Sequence, residues 1–146
     1  LVLLAQNREG YGNLAELIAE TGTTVTHGSL PPVRVHPVQM MRVFQNLLEN
    51  SIRYRRLDVP LKVAISAERR KDHWLISLRD NGQGFEPEYA ERIFGIFKRL
   101  HGTEVPGTGI GLAICRSIID RHGGAIWAEG WLGDGASFYF TLPAAR

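Results

Sequence analysis

The sequence predicts an α/β domain in which a mixed or antiparallel sheet is covered by helices on one face. Several segments repeat apolar residues at helical spacing, and others alternate apolar with polar residues or are rich in β-branched residues, as strands do. The predicted strands mostly follow one another through short turns, whereas a doubly wound parallel sheet needs a helical crossover between strands.

The first predicted helix and strand lie in residues 13–27. The segment "NLAELIAE" has apolar residues at helical spacing, with Asn13 as a possible cap and Gly22 as the stop. The next residues, "TTVTH", are rich in β-branched side chains and predict a strand. The turn-rich segment "GSLPPVRVHP" then leads to the next helix.

The clearest helix begins at Pro37, a residue that suits a first helical turn. Its predicted buried stripe consists of Val38, Met41, Phe44, Leu48 and Ile52. Two strands follow, "LKVAISAE" and "WLISLRD", and the polar segment "RRKDH" between them predicts a hairpin. The second strand runs directly into the loop "DNGQGF".

The second half of the chain predicts two helices and a closing hairpin. "EPEYAERIFGIF" predicts a short helix, and "IGLAICRSIIDRHGG" predicts a longer one that ends at Gly123. The apolar stripe of the longer helix is Ile110, Ala113, Ile114, Ile118 and Ile119. "AIWAEGW" and "ASFYFTLP", on either side of the turn "LGDG", predict the hairpin.

Length and composition fit one ordinary globular domain. The chain has 146 residues, 44% apolar and 22% charged, with a net charge of +2, so nothing favours nucleic acid or an acidic membrane as a partner. Cys115 is the one cysteine, which excludes an internal disulfide and fits a reducing, cytoplasmic location. Because the chain opens on four apolar residues without Met, we expect a longer parent protein, with residues 1–10 as the end of an upstream segment or a flexible lead-in and residues 11–146 as the domain.

A glycine-rich segment, "GTEVPGTGIGLAI", precedes the last helix. Alternating glycines let backbone N–H groups converge on one point, and the positive end of the helix dipole adds to that field. Lys98 and Arg99 lie at the start of the loop and could neutralise phosphate oxygens. A plain flexible connector before a helix remains the alternative.

The loop "DNGQGF" places Asp80 at the end of a predicted strand. A carboxylate held there can accept a hydrogen bond from an exocyclic amino group such as that of adenine. Gly82 and Gly84 would let a flat base approach the backbone closely. A tight turn from strand to helix is the alternative.

The helix segment "NLLENSIRY" carries polar residues on one face. Asn46, Asn50 and Arg53 are separated by four and three residues, so they lie on the same side of the helix. An amide oxygen can complete the coordination of Mg²⁺ beside phosphate oxygens. The alternative is a solvated polar face, although asparagine is a poor residue for a helix interior.

In this order, the segments "NLLENSIRY", "DNGQGF", "IFGIFKRLHG", "GTGIGLAI" and "GDGASFYFTLP" resemble the ATP-binding catalytic domain of sensor histidine kinases. That domain belongs with the gyrase-, Hsp90- and MutL-type ATPases, and the short lid "FKRLHGTEVPGTGIGL" is similar to that of the phytochrome-type branch. The matching segments span roughly residues 30–143. The resemblance implies the Bergerat fold, a two-layer α/β sandwich whose mixed, mostly antiparallel sheet is covered on one face by three main helices.

The resemblance also implies a site for ATP and Mg²⁺. Asn50 would ligate Mg²⁺, Asp80 would bind the adenine amino group, and a lid at residues 98–109 would close on the phosphates. The full set of ATP-binding residues implied is Asn46, Asn50, Arg53, Tyr54, Asp80, Gly82, Gly84, Ile93, Phe94, Phe97, Lys98, Arg99, Gly107, Thr108, Gly109, Ile110, Gly111, Leu112 and Ser137.

One departure from the family pattern falls in the last of these segments. Family members often carry Thr just after the final glycine, where it supports the water network of the adenine site. This sequence has Ala136 followed by Ser137. We expect Ser137 to be the candidate replacement for that threonine.

The resemblance leaves two chemistries, hydrolysis and phosphotransfer. Gyrase-type relatives use a Glu one turn before the metal-ligating Asn, and here that position is Asn46, which cannot act as a general base. We therefore expect a protein histidine kinase domain that is inactive alone. None of the five histidines is placed mid-helix before an acidic residue, as a phospho-acceptor would be; they are His27, His36, His73, His101 and His122.

The expected partners follow from the histidine kinase interpretation. The acceptor histidine would lie on a dimerisation domain of the same parent protein, a homodimer that serves a response regulator in a two-component system. This domain itself would contact neither nucleic acid nor membrane. An anti-sigma-type serine kinase and a non-catalytic nucleotide-binding or docking module are the alternatives.

Overall fold

The computed structural model describes residues 16–31, 33, 35–95 and 111–144. Its strands are β1 (Thr24–His27), β2 (Lys62–Arg69), β3 (His73–Asp80), β4 (Ile126–Gly130) and β5 (Ala136–Pro143). The helices are α1, described over residues 16–21, α2 (Pro37–Arg53) and α3 (Gly111–Arg121). No helix within the described ranges has both the length and the apolar character needed to cross a lipid bilayer.

The five strands form one mixed sheet in the order β1-β2-β3-β5-β4. Strand β1 runs parallel to β2, and the other neighbours are antiparallel. The two predicted hairpins, β2–β3 and β4–β5, are confirmed, and so is the mixed, mostly antiparallel sheet. Asp80, the last residue of β3, lies opposite Val63 on one side and Ala136 on the other.

One face of the sheet is buried beneath the helices. In the first half of β2 and the second half of β3 every second residue is buried, and the strand residues between them are more exposed. The buried strand residues on this face are Val63, Ile65, Ile76, Leu78, Asp80, Ile126, Ala128, Gly130, Ala136, Phe138, Phe140 and Leu142. Ser137 is buried as well, although it pairs with the exposed Arg79 and so belongs to the opposite face. The opposite face is open enough to leave Trp127 37% exposed, which confirms the two-layer α/β architecture.

Helix α2 is the central helix, and its buried face differs from the predicted stripe. Val38 is 59% exposed, so its assignment to the stripe was wrong. The buried residues are Met40, Met41, Val43, Leu47, Leu48, Ser51 and Ile52. Because α2 packs against α3 as well as the sheet, its apolar surface is wider than a single stripe and is centred nearer Val43.

Helix α3 lies antiparallel to α2. At its start, the Asn46 side-chain amide donates a hydrogen bond to the Gly111 carbonyl oxygen, 3.3 Å away. At its end, the backbone N–H of His36 donates to Nε2 of His122 at 3.0 Å. The predicted stop of this helix is confirmed, because Gly123 adopts a positive φ of 77°.

The short helix predicted for "EPEYAERIFGIF" is replaced in the described part by two 3₁₀ turns, Pro87–Tyr89 and Arg92–Phe94. Their closing bonds run between residues three apart, as from the Gly95 N–H to the Arg92 carbonyl. Ile93 and Phe94 of the second turn are buried in the core, whereas the first turn has no buried residue. A segment this short has little intrinsic helix stability, so its conformation follows the packing of its few buried side chains.

Candidate nucleotide-binding site

The side chain of Asp80 ends β3 as a buried carboxylate that is 6% exposed. Its Oδ1 accepts hydrogen bonds from the backbone N–H groups of Gly82 at 2.9 Å and Ala136 at 3.2 Å. Its Oδ2 accepts one hydrogen bond, from Oγ of Ser51 at 2.9 Å. Each carboxylate oxygen has two lone pairs, so among the described residues Oδ2 keeps one acceptor position.

Burial raises the pKa of the Asp80 carboxyl, while the hydrogen bonds from Gly82, Ser51 and Ala136 act in the opposite direction. The three donors also fix the orientation of the carboxylate. A rigid acceptor with one open position suits a single incoming N–H donor, such as an exocyclic amino group.

Gly82 allows the loop after β3 to lie against the end of α2. A Cβ at Gly82 would lie 2.9 Å from the Tyr54 carbonyl oxygen and 3.1 Å from Oδ1 of Asp80. The neighbouring Gln83 N–H donates to the same Tyr54 oxygen at 2.9 Å. The absence of a side chain at position 82 is therefore required by packing within the protein, and contact with a base remains a prediction.

Gly84 has a comparable role on the other side of the loop. Its φ is +67°, and a Cβ there would overlap the carbonyl oxygen of Trp131 in the β4–β5 turn. The Gly133 N–H donates to the Gln83 carbonyl oxygen at 2.6 Å, so the two loops are in direct contact. The glycines of "DNGQGF" join α2, β3 and the β4–β5 turn around Asp80.

The polar face of α2 continues from Asp80 toward α3. Asn50 precedes Ser51, the residue that holds Asp80, and its half-buried side chain makes no hydrogen bond to any described residue. Arg53 and Tyr54 follow within one turn and are also half-buried. Within the described ranges no three His, Cys, Asp or Glu residues cluster as a metal site, so a metal ion here would depend on the Asn50 amide and on oxygens of its ligand.

Asn46 lies one turn before Asn50, and its side chain is directed to the start of α3 by the bond to Gly111. Gly111 and Leu112 are half-buried there. The structure therefore brings the last glycine of the predicted phosphate loop next to the polar face of α2. The predicted contacts Phe97, Lys98, Arg99, Gly107, Thr108, Gly109 and Ile110, with the whole of the predicted lid at residues 98–109, lie outside the described residues.

Ile93 and Phe94 are core residues, 6% and 5% exposed. The Phe94 ring packs edge-on against Phe138 with centroids 6.3 Å apart, and the Arg116 guanidinium lies 5.7 Å from the Phe94 centroid. These contacts anchor the segment before the lid to β5 and α3. Direct contact of Ile93 and Phe94 with a nucleotide remains a prediction.

Ser137 is not brought to Asp80, contrary to the sequence-based expectation. It pairs with Arg79 in the sheet, whereas Asp80 pairs with Ala136. Since successive side chains alternate across a strand, Ser137 lies on the sheet face opposite Asp80. The group of β5 that contacts Asp80 is the backbone N–H of Ala136.

Ser51 is the site residue that the sequence analysis missed. It is 2% exposed and lies among the buried apolar residues of α2. A polar residue at a core-facing position beside Asn50 was the signal that could have identified it, because a buried hydroxyl requires a hydrogen-bond partner.

Known proteins are similar to this chain in both sequence and fold. The chain is 53% identical over 136 residues to Cyanobacterial phytochrome A from Nostoc sp. (strain PCC 7120). This alignment covers 92% of the present chain and 18% of the phytochrome. The catalytic domain of histidine kinase ThkA in a nucleotide-free form is 28% identical with a TM-score of 0.73, covering 97% of this chain and 90% of that one. Full-length ShkA in complex with AMPPNP is 25% identical with a TM-score of 0.76, covering 99% of this chain and 30% of that one.

The chain thus spans less than a fifth of the curated relative described above, and it matches the catalytic domain of ThkA along most of its length. Residues 35–146 match the model of the family described as "Histidine kinase-, DNA gyrase B-, and HSP90-like ATPase". That match covers most of the chain and includes Asn50, Asp80 and the last glycine of the predicted phosphate loop. The chain belongs to the histidine kinase-, DNA gyrase B- and HSP90-like ATPase family.

Proposed function

We propose that this chain is the ATP-binding catalytic domain of a sensor histidine kinase, which binds Mg²⁺-ATP and presents the γ-phosphoryl group to a histidine on a separate dimerisation domain. The buried carboxylate of Asp80, with one open acceptor position beside the helix that carries Asn50, supports this function most directly. The similarity to phytochrome and histidine kinase relatives supports the same class.

In this proposal the adenine end of ATP lies at Asp80. The exocyclic amino group of adenine would donate to Oδ2, the oxygen that already accepts from Ser51. Guanine has a carbonyl oxygen where adenine has this amino group, so it would place an acceptor against the carboxylate. Asp80 therefore also provides selectivity for adenine, because mismatched buried polar groups are strongly disfavoured.

The phosphate end lies along the polar face of α2. The Asn50 amide oxygen, which has no partner among the described residues, would ligate Mg²⁺. When bound, Mg²⁺ neutralises phosphate charge and fixes the orientation of the phosphate chain. Arg53 lies one turn further along and would add positive charge on the same side.

Phosphotransfer is favoured over hydrolysis by the residue at position 46. The amide of Asn46 has no basic group with which to activate water, and its nitrogen is engaged by the Gly111 carbonyl. The described histidines also lack the mid-helix position of an acceptor: His27 ends β1, His36 caps α2, His73 begins β3 and His122 follows α3. His101 lies outside the described residues.

The acceptor would thus belong to a dimerisation domain of the parent protein, which would in turn serve a response regulator. We place the domain in the cytoplasm on the basis of this role. As no acceptor and no base lie in the described site, its catalytic contribution would be positioning and charge neutralisation.

Incubation of this chain with γ-labelled Mg²⁺-ATP and the dimerisation domain of its parent protein tests the proposal. We expect label on the dimerisation domain that is lost in acid, as phosphohistidine is, and no label with the Asp80→Asn variant. Acid-stable label would instead indicate a serine kinase. Absence of nucleotide binding by the unaltered chain would exclude every kinase interpretation.

A further inference from the structure

We infer that Asn46 is a positioning residue that holds the first turn of α3 against α2, so that Gly111 and Asn50 keep their relative placement. This inference rests on the proposed nucleotide site. The resemblance implies that Asn46 contacts ATP, whereas this inference gives it a role through Gly111, which maintains the phosphate end of that site without a contact to the nucleotide.

The contact between Asn46 and Gly111 joins residues that are 65 positions apart in the sequence. Nδ2 of Asn46 donates to the Gly111 carbonyl oxygen at 3.3 Å. A Cβ on Gly111 would lie 3.8 Å from Cγ of Asn46 and 3.9 Å from its Cβ, so the asparagine side chain also lies alongside the glycine. Both the amide group and the aliphatic carbons of Asn46 therefore lie against the start of α3.

The next turn of α3 is held at the same place. The Cys115 side chain is fully buried, and its Sγ–H donates to the Val43 carbonyl oxygen of α2 at 3.7 Å. In an α-helix the carbonyl of residue 111 accepts from the N–H of residue 115. Asn46 thus contacts Gly111, whose carbonyl oxygen is also the expected acceptor for the Cys115 N–H.

The two asparagines of the helix face differ in what they contact. The side chain of Asn50 makes no hydrogen bond to a described residue, whereas that of Asn46 is engaged by α3. Asn50 is free to bind a ligand, and Asn46 holds the start of α3 in position. The spacing in the sequence places both amides on one helix face and does not distinguish their roles.

The far end of α3 is held independently. The His36 N–H donates to Nε2 of His122, and Nδ1 of His122 lies 2.8 Å from the Ile118 carbonyl oxygen. Ile118 and Ile119 are buried in the core. Loss of the Asn46 contact should therefore release only the first turn of α3 and leave the fold intact.

The test is Asn46→Asp, which keeps the shape of the side chain but replaces the donor with a carboxylate oxygen facing a carbonyl oxygen. The matched control is Asn81→Asp, because Nδ2 of Asn81 also donates to a backbone carbonyl, that of Pro60 at 3.1 Å. Affinities for Mg²⁺-ATP and for adenosine are measured for both variants and for the unaltered chain.

We expect Asn46→Asp to weaken Mg²⁺-ATP binding about tenfold, the scale of one hydrogen bond lost at the phosphate end, with adenosine binding unchanged. The ratio of the two affinities should not change in Asn81→Asp. A general loss of stability would lower both affinities together, so the ratio separates positioning from a merely structural effect. An unchanged ratio in Asn46→Asp would overturn the inference.

Amide hydrogen exchange without nucleotide provides the second measurement. We expect the Cys115 amide to exchange at least about tenfold faster in Asn46→Asp, with Ile118 and Ile119 unchanged. Weaker ATP binding without faster exchange would mean that the residue at position 46 acts on the phosphates directly, by contact or by charge, which contradicts a positioning role. If the unaltered chain binds neither adenosine nor ATP, the proposed function itself fails and this inference fails with it.

Discussion

The hydroxyl of Ser51 donates a hydrogen bond to Oδ2 of Asp80 at 2.9 Å and joins the central helix to the end of β3. Because Ser51 follows Asn50 directly, this bond links the proposed adenine-binding carboxylate to the segment that carries the proposed metal ligand. In the proposed site, this buried contact between α2 and the sheet would help to fix the two ends of the nucleotide relative to each other.

Ser51→Ala should destabilise the fold and alter the pH dependence of nucleotide binding. Loss of a buried hydrogen bond to a carboxylate should lower the free energy of unfolding by about 1.5–3 kcal/mol, measured by urea denaturation. Since the Ser51 bond lowers the pKa of Asp80, its removal should raise that pKa further and move the acid loss of ATP binding to higher pH. Ser66→Ala, on the exposed face of β2, is the control that should change neither property.

Asp80→Asn should fold with equal or greater stability at neutral pH. Burial raises the pKa of Asp80 in the folded state above its ordinary value of 3.8, so the folded protein binds the extra proton more readily than the unfolded chain. The contribution of the Asp80 carboxyl to the free energy of unfolding therefore falls as the pH rises through the window from 3.8 to the folded-state pKa. The asparagine can keep the hydrogen bonds from Gly82 and Ala136 through Oδ1 and donate to Ser51 through Nδ2.

Melting temperatures measured from acid to neutral pH test whether the buried Asp80 carboxylate destabilises the fold at neutral pH. The advantage of Asp80→Asn over the unaltered protein should be largest at neutral pH and should shrink as the pH falls through that window. An advantage that instead grows on acidification would show that the buried carboxylate is stabilised by its donors more than it is disfavoured by burial.

Gly84→Ala should be strongly destabilising. A Cβ at Gly84 would overlap the Trp131 carbonyl oxygen, and the residue also has a positive φ of 67°. We expect a loss of about 3 kcal/mol or more in the free energy of unfolding. Gly133→Ala is the matched control, because Gly133 has a φ of 80° but open space around it, so backbone strain alone should cost about 1–2 kcal/mol. Equal losses in the two variants would rule out the steric explanation.

Cys115 should be unreactive in the folded protein. Its burial raises the pKa of the thiol to about 12, so almost no thiolate exists at pH 8, and the side chain is also inaccessible. Iodoacetamide at pH 8 should modify Cys115 only after denaturation, as followed by mass spectrometry. Rapid modification under native conditions would mean that the contact between α2 and α3 opens readily.

The sequence predicted most of the fold because its elements are locally well marked. The strand around Ile76 alternates cleanly, the hairpins have polar turns, and Gly22 and Gly123 both end helices with a positive φ. These signals are local, so one sequence suffices to read them. Asp80 at the end of β3 was identified from the same local pattern.

Features that depend on tertiary contacts were harder to predict. The exposure of Val38 follows from how α2 packs against both the sheet and α3, and the second 3₁₀ turn carries the buried residues Ile93 and Phe94. The sheet register placed Ser137 on the face away from Asp80. The bond from Asn46 to Gly111 spans segments whose proximity only the folded chain reveals.

Titration of Mg²⁺-ATP into the unaltered chain, Asp80→Asn and Asn50→Ala tests the central claim most directly. We expect the unaltered chain to bind. Asp80→Asn should lose about tenfold to a hundredfold in affinity, because an amide N–H replaces the acceptor for the adenine amino group. Asn50→Ala should bind adenosine normally and lose the dependence of ATP binding on Mg²⁺. Equal Mg²⁺-ATP affinity in all three proteins would contradict a nucleotide site between Asp80 and Asn50.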